Sequence, residues 1–162
     1  MIEVKTLGLS EATRAIEAVI AAAAAVNPPR NWPGVAVVIV DKHGDIIAGA
    51  RMDGMAPRFF GVAHRKAYTA AVMERDTAGV IEFWNRQEQQ GHRGPHDWND
   101  TMLTTLPGGY VVRHGANLVG GVGVAGGTQD PYSDDAFAEI AVAALGEGFR
   151  HTPDWEPKVP GN

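Results

Sequence analysis

The residues best equipped for chemistry fall in three groups. His64 and Tyr68 stand four apart with Arg65 and Lys66 between them, a spacing that puts His64 and Tyr68 one turn apart on a helix. Arg51 and Asp53 stand a short way upstream. Arg51 and Lys66 together would make a cation pair for a substrate carboxylate, and Asp53 or His64 would accept a proton. That set suits an isomerase, hydratase or decarboxylase acting on a small acid. The same charges serve equally well as an ion pair between two elements, the commoner arrangement. His92 and His96, also four apart, would face one metal ion from a helix, but Gly94 and Pro95 between them break one. With Asp97 and Asp100 they make either a metal site on a loop or a solvated polar loop, and the second is favoured. There are no cysteines, which excludes disulfides, thiolate metal sites and a Cys nucleophile. No Ser elbow sequence supports hydrolase chemistry.

The third group is the run Leu-Val-Gly-Gly-Val-Gly-Val-Ala-Gly-Gly over 118–127, where Gly121, Gly123 and Gly126 spell G-x-G-x-x-G. A dinucleotide site would need a strand-helix-strand unit, yet after Gly127 the chain holds one helix and a Pro-rich tail. Asp130, Asp134 and Asp135 already bring negative charge to that helix entrance, where a phosphate would otherwise sit. The run reads instead as a strand with one bare face. Leu118, Val122 and Val124 point one way, and Gly121, Gly123 and Ala125 point the other. A packed helix or neighbouring subunit is the expected occupant of that face, with a flat ligand as the alternative.

The elements that must position these groups follow from periodicity. Ser10 is the expected cap of a first helix with apolar positions Ala12, Ile16, Val19, Ile20 and Ala23, stopped by Pro28 and Pro29. The run 34–41 is a β-branched central strand, and 46–52 returns from the turn at 42–45 as its hairpin partner. Residues 59–74 form a second helix, with a small-residue stripe of Ala63, Ala67, Ala70 and Ala71 suited to close packing on a sheet. Asp76 caps a third helix running to about Gln90. Residues 91–107 form a long loop, about 17 residues, a length that favours a lid, a binding loop or an interface. A second hairpin, 110–113 with 117–125, precedes a last helix capped by Ser133 or Asp130.

These elements predict an α+β fold with a mainly antiparallel sheet covered by helices. At 162 residues the chain fits one domain, over 1–150, with a Pro-rich tail over 151–162 that ends exposed or packed on a partner. A net charge of -5 with no basic run argues against nucleic acid as a partner. The alanine-rich stretch 15–26 reads as a helix rather than a signal-peptide core, because acidic residues precede and interrupt it. No apolar run reaches the roughly 18–20 residues needed to span a bilayer, so the expectation is a protein of the cytoplasm with no membrane partner.

Three blocks in order carry a resemblance. Val-Asp-Lys-His-Gly-Asp-Ile-Ile-Ala-Gly-Ala-Arg-Met-Asp-Gly over 40–54, Ala-His-Arg-Lys-Ala-Tyr-Thr-Ala over 63–70 and the glycine strand over 119–128 resemble the GlcG/HbpS-like family of haem-binding-like domains. That family also occurs as the C-terminal domain of PduO-type adenosyltransferases. The resemblance implies a profilin-like fold, a central five-stranded antiparallel sheet with helices on both sides. It also implies homo-oligomers and a haem or related tetrapyrrole ligand. A haem site needs an apolar slot, cations for the propionates and an axial ligand. Gly121, Gly123 and Ala125 would back the ring, Arg51 or Lys66 would pair the propionates, and His64 would ligate iron with Tyr68 one turn away. Haem is therefore the cofactor candidate. A binding protein for haem or another flat anionic small molecule ranks first, a cofactor-independent enzyme on a carboxylated metabolite second, and a structural oligomer subunit third.

Overall fold

The structure is a computed structural model and describes residues 1–26 and 32–157. One five-stranded sheet runs through it in the order β2-β1-β4-β3-β5, every neighbouring pair antiparallel. The strands are β1 (Ala36–Asp41), β2 (Ile46–Arg51), β3 (Gly109–His114), β4 (Asn117–Ala125) and β5 (Phe149–Arg150). The helices are α1 (Leu9–Ala25), α2 (Arg58–Val72), α3 (Thr77–Gln89), α4 (Pro95–Trp98) and α5 (Asp134–Ala144). The expected α+β, profilin-like arrangement is what forms.

The central strand β1 is apolar on both faces because both faces are covered. Val37 and Ile39 enter a core with α1 and α5, built around Val19, Val122, Phe137 and Leu145. Ala36, Val38 and Val40 face α2 and meet Ala63, Ala67 and Ala71. The large side chains thus lie under α1 and α5, and the α2 side is filled by small ones. The sheet approaches α2 closely and stands further from the other layer.

Local chemistry places the helix ends. At α1 the cap is Gly8, whose N–H donates to the Glu11 carboxylate at 3.0 Å, so Ser10 sits inside the first turn. Pro28 and Pro29 lie outside the described residues. Ser133 does cap α5, its hydroxyl accepting from the Ala136 N–H. Asp76 occupies the cap position of α3, but its carboxylate turns away and accepts the Val111 N–H at 3.0 Å. With Thr77, whose hydroxyl accepts from Gly109 N–H at 3.0 Å, Asp76 takes the place of a missing neighbour strand along the first half of β3. Beyond it β5 pairs with Arg113 and His114. This short strand closes the expected domain, immediately before the tail placed at 151–162.

Candidate functional site

Helix α2 has two unlike faces. Its inner face carries Ala63, Lys66, Ala67 and Ala70, all buried, and it rests on backbone rather than on side chains. A Cβ on Gly123 would stand 1.9 Å from the Ala63 carbonyl oxygen, one on Gly121 2.5 Å from that of Ala67, and one on Gly109 2.4 Å from that of Lys66. Ala125 is buried in the same layer. The bare face expected to back a flat ring is therefore filled by α2. Gly121, Gly123 and Ala125 line no slot, and the glycines are required because a helix backbone lies where side chains would be.

Lys66 shares that inner face, which decides its partners. It reaches past β4 and donates to the Val124 carbonyl at 2.8 Å and to Asp134 Oδ2 at 2.6 Å. The other oxygen of Asp134 accepts the Gly127 N–H at 2.6 Å. The dinucleotide reading fails for the reason expected, since the anion at the α5 entrance is the chain's own carboxylate. Asp135, whose carboxyl burial pushes up, accepts the Gly108 N–H beside it.

The cation pair of Arg51 and Lys66 does not form. Arg51 is exposed at the end of β2 and donates to the Met55 carbonyl at 2.7 Å. Asp53 is exposed nearby with no hydrogen bond to its carboxylate among the described residues. Lys66 is turned under the helix by the same spacing that buries the alanines.

The outer flank of α2 gathers Phe60, His64 and Tyr68 at i, i+4 and i+8 over the β1–β2 hairpin. The Phe60 ring lies against Gly49, where a Cβ would come within 2.7 Å of it. Tyr68 covers Gly44, which holds φ +90 and would clash at 2.5 Å if it bore a side chain. His64 Nε2 lies 3.4 Å from the Gly44 carbonyl, and its ring meets Tyr68 edge to face at 6.5 Å. Tyr68 Oη donates to Asp100 Oδ2 at 2.7 Å, a bond that raises the phenol pKa, with burial adding to it. The register puts Arg51 on the same sheet face as Gly49, since both lie two apart in β2. An imidazole, a phenol and a phenyl ring thus share one partly open strip, and Arg51 stands on the same sheet face at the end of β2.

His92 and His96 are both exposed and lie on either side of Gly94, which holds φ +60. Among the described residues no group of three His, Asp or Glu gathers to hold a metal. The long loop instead forms α4 and packs on α3, with Trp98 stacked on Phe83 at 6.3 Å. Gly94 lies against the Trp84 indole, and Thr104 N–H donates to the Thr69 hydroxyl at 3.0 Å.

Two arrangements escaped the sequence. Asp76 Oδ2 lies 2.7 Å from His151 Nδ1, and the His151 ring stacks on Tyr110 at 4.1 Å. The hydrogen bond to Asp76 holds the imidazole pKa above its ordinary value, and burial pushes the Asp76 carboxyl up. Separately, a groove of about 320 Å³ opens between the N-terminal arm and the sheet edge, lined by Lys5, Leu7, His114, Val119 and Phe149. Asp76 and His151 are too distant in sequence to suggest a pair, and the groove is made by an arm with no periodicity.

The fold and the strip define a small open-sheet α+β domain, with its chemically able side chains on the outside of the helix that covers the sheet. The chain belongs to the HbpS-like family: residues 7–143 match the family described as haem degrading protein HbpS-like. It is 34% identical over 107 residues to Protein GlcG of Escherichia coli K12, covering 66% of this chain and 75% of that one. A double mutant of Streptomyces reticuli HbpS superposes with a TM-score of 0.71 at 30% identity, covering 91% of this chain and 92% of the other. A PduOC:heme complex superposes with a TM-score of 0.68 at 27% identity, over 86% and 94%. Among the described residues no helix is long and apolar enough to cross a membrane.

Proposed function

We propose that this protein binds haem, or another flat anionic ring, on the strip between α2 and β2. His64 carries the reading. Its Nε2 faces the Gly44 carbonyl, which favours the tautomer that keeps the proton there and leaves the lone pair on Nδ1. An imidazole whose second nitrogen is anchored in this way is a ligand of fixed orientation. Phe60 and the exposed Ile46 supply apolar surface beside it, Arg51 supplies a cation for a propionate, and Tyr68 stands one turn away with its Oη held by Asp100, a ring that flanks the site rather than a ligand. The donor set fits the group, whereas the Gly121 and Gly123 face does not. Membership of the HbpS-like family and the likeness to a PduOC:heme complex support the same class of ligand. Bound haem would supply iron for redox chemistry or sensing, and His64, Phe60 and Arg51 would hold it.

Titration with haem tests this. A saturable Soret shift at stoichiometric concentration is expected, weakened at least tenfold by His64→Ala. A shift unchanged by His64→Ala but lost in His114→Ala would move the site to the groove at the other end of the sheet. No saturable shift would refute haem binding altogether. The outer edge of β2 carries no strand partner among the described residues, which supports a homo-oligomer joined along this side. A single monomeric species in sedimentation would count against it.

A further inference from the structure

At the edge of the sheet farthest from α2's outer strip, Arg113 of β3 and Arg150 of β5 stand directly opposite each other. Like charges in that position repel across the strands. Arg113 makes the problem sharper because its side chain is only 5% exposed. It donates to the Glu74 carbonyl at 2.8 Å, but its Nε has no hydrogen-bond partner among the described residues. A buried guanidinium with an unused donor needs an anion.

The chain supplies one from its own C-terminal segment. Glu156 receives both arms of the Arg150 fork, at 2.9 and 2.7 Å, and its Oε2 lies 3.8 Å from Arg113 Nε. That gap is too long for a hydrogen bond. We infer that Arg113 and Arg150 form a carboxylate-binding site that the chain closes with its own Glu156, and that a free small carboxylate takes that place when residues 154–157 lift.

The segment is held in a way that permits lifting. His151, stacked on Tyr110, and the buried Thr152 anchor its start, and beyond them its contacts are polar: Trp155 Nε1 donates to Glu74 at 2.9 Å and Asp154 lies 3.7 Å from Arg75 Nη1. Trp155 is 47% exposed and Asp154 is open to solvent, so release uncovers little apolar surface. The Arg150–Glu156 fork is itself solvent-facing, with both side chains more than 40% exposed. Pairs of that kind exchange partners at little cost. The planar fork with a second guanidinium behind it matches two carboxylate oxygens, and Glu156 shows the ligand chemistry directly.

Isothermal titration of glutarate at constant ionic strength tests the site, because glutarate carries the terminal group of a glutamate on a free molecule. Glu156→Ala should bind it saturably in the millimolar range. The unaltered protein should bind at least tenfold more weakly, since its own carboxylate competes at high effective concentration. Adding Arg150→Gln to Glu156→Ala should abolish the signal. Arg150 is exposed, so that variant reports even if Arg113 proves necessary for folding. Four results would overturn the inference: no saturation in Glu156→Ala, equal affinity with and without Glu156, binding that survives Arg150→Gln, or inorganic phosphate binding as tightly as glutarate.

Discussion

Substituting Gly123→Ala tests whether α2 or a ligand owns the glycine face. The added Cβ would stand 1.9 Å from the Ala63 oxygen and 2.6 Å from the Ala67 nitrogen, both backbone atoms. Ordinary contact begins at 3.4 Å, so the helix would have to retreat by about 1.5 Å, the difference of 3.4 and 1.9. No side-chain rotation relieves that clash, and a retreat also loosens Ala67, Ala70 and Ala71, all buried on the same side of α2. Overpacking of a tight core costs about 1–3 kcal/mol; a clash with a helix backbone belongs at the upper end, ~3 kcal/mol. With a urea slope of about 2 kcal/mol/M, the unfolding midpoint should fall by ~1.5 M. Gly61→Ala is the control. Gly61 lies within α2, is exposed and has nothing within 4 Å of an added Cβ, so the same change should stabilise by about 0.5–1 kcal/mol through helix propensity. A Gly123→Ala midpoint within ~0.2 M of the unaltered protein would show that the face is empty and that α2 does not seat on Gly123.

Asp134→Ala should cost about 3 kcal/mol, because it strands a buried Lys66 and frees the Gly127 N–H. Adding Lys66→Met should restore part of the loss in a denaturation cycle, and strict additivity of the two changes would argue against coupling. The docking of residues 151–157 should depend on pH. His151 and Asp76 both have pKa values raised in the folded state, so folding takes up protons and stability falls as pH rises. The His151 share is fully present below its unfolded value near 6.5 and is lost as pH climbs through its raised folded value. Tyr110, Asp135 and Glu139 face the same imidazole, and the two carboxylates add to the upward pull. Hydrogen exchange at the Asp76 amide, which donates to Thr152, should accelerate between pH 6 and 8 beyond its intrinsic rate. His151→Ala should abolish that excess, and an excess that persists would exclude the imidazole as its source.

Much of the architecture was legible because it rests on period. The β-branched run of β1, the alternation in β4 and the alanine stripe of α2 each announced their element, and Ser133 announced a cap. Alternation says that one face of β4 is bare and cannot say what covers it, yet the alanine stripe was its complement in plain view. Lys66 follows Ala63 by three and precedes Ala70 by four, which puts it on the buried stripe. That spacing was the available sign that Lys66 would not meet Arg51. β5, at two residues, is too short for any period to reveal. Asp76 belonged by type to a helix cap, and its service to β3 and His151 is a tertiary demand that overrode a sound local preference.

The glycines of β4 retain a part in function through geometry. A helix turns by about 100° per residue, so seating Ala63 and Ala67 on Gly123 and Gly121 fixes where His64 and Tyr68, each one residue further on, must point. They point over Gly44 and the β1–β2 hairpin because the inner face admits only one seating, with carbonyl oxygens against glycine and Lys66 threaded to Asp134. A side chain at Gly123 would push the helix outward and carry His64 with it by a similar distance, about 1.5 Å. A ligand held by that imidazole would then sense a residue it never touches. Haem affinity measured on the folded fraction of Gly123→Ala should therefore fall, although the glycine lines no part of the strip.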